Sequence, residues 1–503
     1  MRLKALCDAA GLDCPVGAEE CEISSVVSDS RRLERGDVFV ALGGVHTDGH
    51  RYLSEVAARG CRFAVVDRAA EISETFGMHL FRVADPRLAL AELCRTQYGF
   101  PDRQMQMIGV TGTNGKTTVT HLLRDVLQKN GARCGVIGTV GCHWTRADGS
   151  TQREISADGM TTPDAESLYR ILAEMAEDGV EYVLMEVSSH ALALQKTAPI
   201  EFACAIFTNL TQDHLDFHKT MEAYAEAKSR LFAKAHLSVI NLDSPFAERM
   251  IKSAGERILT TGITSDADYR ATEIEAWQSG YRYRLFAQNL HLQIICPLAG
   301  NFNVQNSMQA AVAALALGVD PDTVRKALAT ATGVRGRMEA VPLGNDAEFS
   351  VFIDYAHTPD ALETLLRSAR PLVGERGRLV VLFGCGGDRD RGKRPLMGAI
   401  ADRLADLVIV TSDNSRSEEP DDIIAEILSG ISSNEKTRVI RDRQMAIEFS
   451  VQNARAGDVI LLAGKGHEEY EIRREGKFPF YEKQIVLAAL ACRKEREQRE
   501  SGR

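Results

Sequence analysis

The chain has 503 residues, enough for about three domains, and its 44% apolar and 26% charged content is that of an ordinary folded protein. A formal charge of −10 with no long basic block argues against a nucleic-acid partner, and no apolar run approaches the ~20 residues of a membrane span. Met1–Leu6 lacks the apolar core of a signal peptide, so a cytoplasmic location is expected, and the 11 cysteines, without any Cys-x-x-Cys pair, read as reduced thiols.

Residues 1 to about 100 carry strands at Val38–Leu42 and Phe63–Val66 and two polar turns, Ser28-Asp29-Ser30-Arg31 and Gly43–His50. Pro101-Asp102 marks a boundary. Met105–Ile108 then reads as a short strand running into Gly109–Thr118. Val119, Leu122, Leu123, Val126 and Leu127 follow at i, i+3, i+4, i+7 and i+8, one face of a helix closing at Gly131. A glycine-rich turn between strand and helix aims backbone N–H groups and the positive helix end at one point. Lys116 adds a mobile cation and Thr117 a hydroxyl for a magnesium ion, which together make a triphosphate cradle. The strict phosphate-loop pattern wants glycine at Val110, and the plainer alternative is a βα turn rich in small residues.

Strand, loop and helix then alternate, as in a mostly parallel sheet. Tyr182–Met185 ends in Glu186, a carboxylate well placed for magnesium at a strand's C-terminal end. Cys204–Phe207 leads to Asp213, His214 and Asp216, within reach of the same phosphate region. Met221, Tyr224, Ala225, Lys228 and Leu231 share one helical stripe, which puts Lys228 on the apolar face. Either its ammonium snorkels to water, or a desolvated amine of lowered pKa captures carbon dioxide as a carbamate; the residues alone leave both open. Leu298–Asn306 opens an alanine-rich helix, and capping is the default role for each asparagine.

The last third repeats one theme four times. Apolar strands at Val351–Ile353, Leu379–Phe383, Leu407–Thr411 and Val459–Ala463 run into loops beginning at Asp354, Gly384, Ser412 and Gly464. In a parallel sheet all four loops emerge on one edge, where such sheets bind ligands.

Gly112-Thr113-Asn114-Gly115-Lys116-Thr117-Thr118 resembles the loop of the Mur ligase and folylpolyglutamate synthetase superfamily, which forms amide bonds with ATP. At least six ordered motifs extend the resemblance to the Mur ligase family over the whole chain: Asp29–Arg31 with Asp48–His50, the phosphate loop, Asp213–Phe232, Leu298–Asn306, Gly333–Glu339 and Asp413–Arg416. The resemblance implies an α/β protein of three domains. Residues 1–100 would grip the UDP end of the substrate, 101–336 would form a phosphate-loop ATPase-like domain on a mostly parallel sheet, and 337–503 a Rossmann-like amino-acid-binding domain. The implied activity adds meso-2,6-diaminopimelate to UDP-N-acetylmuramoyl-L-alanyl-D-glutamate through an acyl phosphate, yielding ADP and phosphate in peptidoglycan precursor synthesis. A monomer with two Mg²⁺ ions, and with neither nucleic acid nor membrane as partner, is expected.

Residue roles carried by the resemblance follow. ATP would meet Gly112–Thr118, Asn303 or Asn306, Arg337, Asp354 and His357. Lys116, Glu186, His214 and Lys228 would be catalytic, with Thr117, Glu186, His214 and carbamylated Lys228 holding metal. Ser30, Thr161, Thr162, Ser188 and Lys196 would meet the UDP-dipeptide, although the family usually has arginine where this chain has Lys196. Arg389, Asp413, Asn414, Arg416, Gly464 and Glu468 would bind the diamino acid, with Ser415 standing where the family motif has proline. The competing readings are the L-lysine-adding version of the same ligase, the alanyl-alanine-adding ligase or a folylpolyglutamate synthetase-like enzyme, and, in a different class, a phosphate-loop motor.

Overall fold

Buried parallel strands read as unbroken apolar runs because helices cover both faces of the sheet, and the strands of this chain assemble on that rule. The computed structural model describes residues 1–44, 47–146, 148–149, 152–155, 160–255, 257–277, 280–344, 347–432 and 435–501. Val45 and His46 of the expected polar loop, and the last two residues of the polar tail, lie outside them.

Three α/β units follow one another. In the first, Val26–Val27, Val38–Val40, Phe63–Asp67 and His79–Val83 pair in chain order as a parallel sheet of four strands. The second is built on a sheet of 11 strands. Its centre is Gln106–Thr111, flanked in parallel by Tyr182–Glu186 on one side and Cys204–Phe207 on the other. The chain therefore leaves this strand in both directions, so the crevice at its C-terminal end is a topological switch point. Helix Lys116–Lys129 follows, with Gly131 at φ +91° just beyond its end, as expected for that glycine. In the third unit, Ser350–Asp354, Val459–Ala463, Leu379–Phe383 and Leu407–Val410 are neighbours, all parallel. The four expected loops do share one edge.

Several antiparallel additions were not foreseen, among them Gly141–Thr145 and Gln152–Ile155 on one edge of the central sheet. Tyr269–Trp277, Gly280–Ala287 and Leu290–Cys296 extend the central sheet, and Tyr470–Arg473 with Gly476–Pro479 forms a hairpin beside the third. The first unit shares a continuous apolar core with one face of the central sheet, from Leu93 and Cys94 to Tyr169 and Leu172. None of the 11 cysteines is paired, and eight are buried. Among the described residues no helix is long and apolar enough to cross a membrane.

Candidate active site

The phosphate loop borders a cavity of about 400 Å³ between the second and third units. One wall is Thr113–Thr118 with Thr139, Thr161, Asp213 and His214; the other is Arg337, Asp354, His357 and Asp360. Gly115 takes φ +87°, and a Cβ there would press on Asn306 Oδ1, so only glycine lets the loop close against the next helix. The first turn of helix Lys116–Lys129 leaves its N–H groups without intrahelical acceptors, next to a lysine. Lys116 Nζ donates to the Gly112 and Thr113 carbonyls, each at 2.9 Å. Burial pulls the pKa of that amine down, while Glu186 and Asp213 oppose the shift.

Glu186 is completely buried. Its carboxylate accepts from Thr117 Oγ1 at 2.9 Å, from Thr139 N at 2.9 Å and from Thr139 Oγ1 at 3.0 Å. All three donors are neutral, and no ion pair to Glu186 forms among the described residues. A buried carboxylate with no direct ion pair, beside two hydroxyls, is a hard-oxygen set that suits Mg²⁺. Among the described residues no three His, Cys, Asp or Glu side chains form a metal cluster.

Lys228 is 1% exposed on helix Met221–Ser229. Its Nζ donates to Gly112 O at 2.8 Å and sits 4.7 Å from the centre of the Tyr224 ring. Burial first, and Lys116 second, drive its pKa well below the usual lysine value. Of the two readings left open by the sequence, snorkelling is ruled out. His214 has φ +54° and lines the cavity, with desolvation holding its imidazole below the usual histidine value against the opposing Asp213. Asp216 does not line the cavity; it lies in the first turn of Leu215–His218.

Three cross-unit contacts define the far wall. Arg337 donates to Thr117 Oγ1 at 3.3 Å while its guanidinium lies over Tyr355. Its neighbour Gly336 has φ +69°, and a Cβ there would overlap the backbone of Gly466 and His467. Asp354 accepts from Met338 N and Ala356 N, and His357 is held neutral by burial, with a pKa of about 4. Asp360, unsuspected from sequence, accepts from Asn114 Nδ2 at 2.9 Å and from Thr211 Oγ1 at 3.1 Å, tying the third unit to the phosphate loop. Asp360→Ala is expected to raise KM for ATP about tenfold or more, with KM for the amino acid unchanged. Steady-state kinetics checks this, and an unaltered KM for ATP would remove the role.

The other anticipated residues take the following places. Of the asparagine pair, Asn306 reaches the cavity, whereas Asn303 bonds Ala299 O and takes the Asn306 amide, so it is a support. Thr161 lines the cavity, but Thr162 donates to Glu186 O and accepts from Ser188 N. The Ser188 hydroxyl caps the short helix Ser189–Ala193. Lys196 pairs with Asp164 at 2.8 Å, away from the cavity. Ser30 is buried in a 3-10 turn whose neighbour Ser28 bonds Glu166 across the first two units.

On the edge of the third sheet, Arg416 takes φ +52° and donates to Gly387 O at 2.8 Å. A Cβ built on Gly386 would meet Arg416 Nη1 at 2.8 Å, and Arg389, whose guanidinium donates to Asp388 O at 3.0 Å, lies near enough for its charge to lower the pKa of Arg416, after burial. Beside them Asn414 Nδ2 donates to Glu468 Oε2 at 2.7 Å. Burial raises the carboxyl of Glu468, whereas Lys465 and Arg443 hold that of Asp413 below its usual value despite complete burial. Gly464, at φ +114°, leaves room for Asp413 Oδ2. Although Ser415 lacks the fixed φ of proline, its loop is tied down through Glu418 N to Ser415 O, Arg416 N to Ile472 O and Ser417 Oγ to Asp388 Oδ1. Buried Lys465, Arg394 and Arg443 behind this edge escaped notice, because lone charged residues read as surface.

Comparison with known proteins agrees along the chain. Residues 22–98 match the catalytic domain of the Mur ligase family, 110–314 the Mur ligase middle domain and 336–466 the Mur ligase glutamate ligase domain. The UDP-N-acetylmuramoyl-L-alanyl-D-glutamate--2,6-diaminopimelate ligase of Syntrophomonas wolfei is 40% identical, over 97% of this chain and 99% of that protein. The enzyme of the same name from Caldanaerobacter subterraneus is 42% identical, over 94% and 96%. A solved structure of a ligase of that name superposes with a TM-score of 0.68 at 33% identity, covering 98% of this chain and 99% of that one.

Proposed function

The chain belongs to the Mur ligase family, and on that premise we propose that it adds meso-2,6-diaminopimelate to UDP-N-acetylmuramoyl-L-alanyl-D-glutamate, converting ATP to ADP and phosphate. The observation that carries the choice of amino acid is the sheet edge where Arg416, within electrostatic reach of Arg389, lies beside the Asn414–Glu468 pair. Paired cations next to an anion complement an ammonium and a carboxylate on one carbon, which meso-diaminopimelate has at its distal end and lysine lacks.

The first unit, residues 1–100, and the strip Thr161–Lys196 face the UDP-dipeptide; residues 101–336 hold ATP, and 337–503 the amino acid. Lys116, Arg337 and the N–H groups of the phosphate loop orient the γ-phosphoryl group and take up its developing charge. The D-glutamyl carboxylate attacks phosphorus; a carboxylate O–P bond forms as the bond to the ADP oxygen breaks. The free amine then attacks the acyl carbon, and collapse of the tetrahedral adduct expels phosphate as the nitrogen loses a proton. Thr117, Glu186, His214 and a carbamate on Lys228 would hold two Mg²⁺ ions, which when bound supply charge neutralisation at the triphosphate. Asp360 and Arg337 keep the third unit against the loop, excluding water that would hydrolyse the acyl phosphate.

Hydroxylamine supplied in place of the amino acid should trap a hydroxamate of the dipeptide, with ADP as the only nucleotide product. Formation of AMP and pyrophosphate would mean an adenylate route and overturn the proposal.

A further inference from the structure

Within the segment Gly464–Glu468, the reading above uses Gly464 and Glu468 and leaves Lys465 without a task. Yet Lys465 is 0% exposed, a position that an ammonium occupies only when its partners compensate desolvation. Its Nζ donates to Asn414 Oδ1 at 3.0 Å and to Tyr470 O at 2.9 Å. It lies 3.5 Å from Asp413 Oδ1 and 4.0 Å from Glu468 Oε2.

These contacts fix the orientation of an amide. Asn414 Oδ1 accepts from both Lys465 Nζ and Ile472 N, the latter at 2.9 Å, so Nδ2 has to face the other way. It faces Glu468 Oε2, and the second carboxylate oxygen of Glu468 remains for another donor. Lys465 is also the cation shared by two acids, Asp413 and Glu468, that would otherwise repel each other in a buried place. Through Tyr470 O it anchors the hairpin Tyr470–Pro479, whose Ile472 O in turn receives Arg416 N.

We propose that Lys465 is a positioning residue for diamino-acid specificity: it sets Asn414 and Glu468 for the distal ammonium without touching the ligand. This rests on the diaminopimelate reading. Without Lys465 the amide keeps only Ile472 N as anchor, and the two acids face each other without a common counter-ion.

The test uses the full-length enzyme with ATP, the UDP-dipeptide and either meso-diaminopimelate or L-lysine. Lys465→Met is expected to raise KM for meso-diaminopimelate about 10- to 100-fold, with kcat and KM for ATP within about twofold. In a Glu468→Gln background the same change should add little, because Lys465 acts through that carboxylate. Should Lys465→Met fail to fold, Lys465→Gln, which keeps a donor for Asn414 and drops the charge, serves the same comparison. An unchanged KM for meso-diaminopimelate, or effects of Lys465 and Glu468 that simply multiply, overturns the inference. A wild-type enzyme indifferent between the two amino acids would instead overturn the diaminopimelate reading beneath it.

Discussion

Alanine at Lys228 is expected to lower kcat about 10²- to 10³-fold, the usual loss when one group stabilising charge at a reacting centre is removed. The reason starts with burial. An amine 1% exposed, with Lys116 as its cationic neighbour, has its pKa driven well below the ordinary lysine value. The sign follows: the unfolded chain holds this proton more tightly than the folded site, so the group's penalty on folding shrinks as pH rises towards the unfolded lysine value. On the proposed reading a deprotonated amine adds to carbon dioxide, forming an N–C bond and releasing a proton, and the carbamate would join Glu186 and His214 in holding metal. On that reading Lys228→Ala removes the carbamate with the side chain that carries it, leaving its place open to a small carboxylate. Formate or acetate should therefore restore part of the lost activity, and ¹³C-labelled bicarbonate should give a carbamate resonance in the wild-type protein that Lys228→Ala lacks. Absence of both the resonance and the rescue would leave Lys228 as the donor to Gly112 O and nothing more.

What the sequence could reveal of this site follows from the range of the forces involved. The phosphate loop was legible because strand, glycines, lysine and apolar helical stripe all lie within about 25 residues, and local geometry decides them. The four loops of the third sheet were legible for a related reason: parallel strands buried on both faces read as apolar runs, and parallel order puts their ends on one edge. Asp360 was not legible. It follows Thr358-Pro359 at a helix start, where an acid is ordinary, and its partner Asn114 is 246 residues away. The choice between Asn303 and Asn306 was equally closed, since residues three apart share a helix face and only the approach of Gly115 separates them. The antiparallel extension was within reach. Tyr281-Arg282-Tyr283-Arg284-Leu285 alternates with period two, and Tyr283 and Leu285 are buried while the arginines are not.

Arg416→Ala is expected to abolish most of the preference for meso-diaminopimelate over L-lysine. Burial first, and the charge of the neighbouring Arg389 second, lower the pKa of Arg416. That arrangement is costly by itself and becomes favourable when a carboxylate lies between the cations, where a planar fork binds two oxygens at once. Loss of one partner of such a pair costs about 2–5 kcal/mol, and lysine, which has no distal carboxylate, does not feel the loss. KM for meso-diaminopimelate should therefore rise steeply in Arg416→Ala while kcat/KM for L-lysine stays nearly constant. The backbone supports this assignment. A non-glycine residue at φ +52° is disfavoured, and Arg416 is held there by its own N–H to Ile472 O and by Ser417 on Asp388. Arg416→Gly would relieve the backbone and remove the fork together, so a variant more stable yet equally unselective separates the two effects. Arg416→Lys keeps the charge and loses the bidentate geometry, and should recover only part of the preference. Equal kcat/KM for the two amino acids in the unmodified enzyme would show that this edge does not recognise a distal carboxylate.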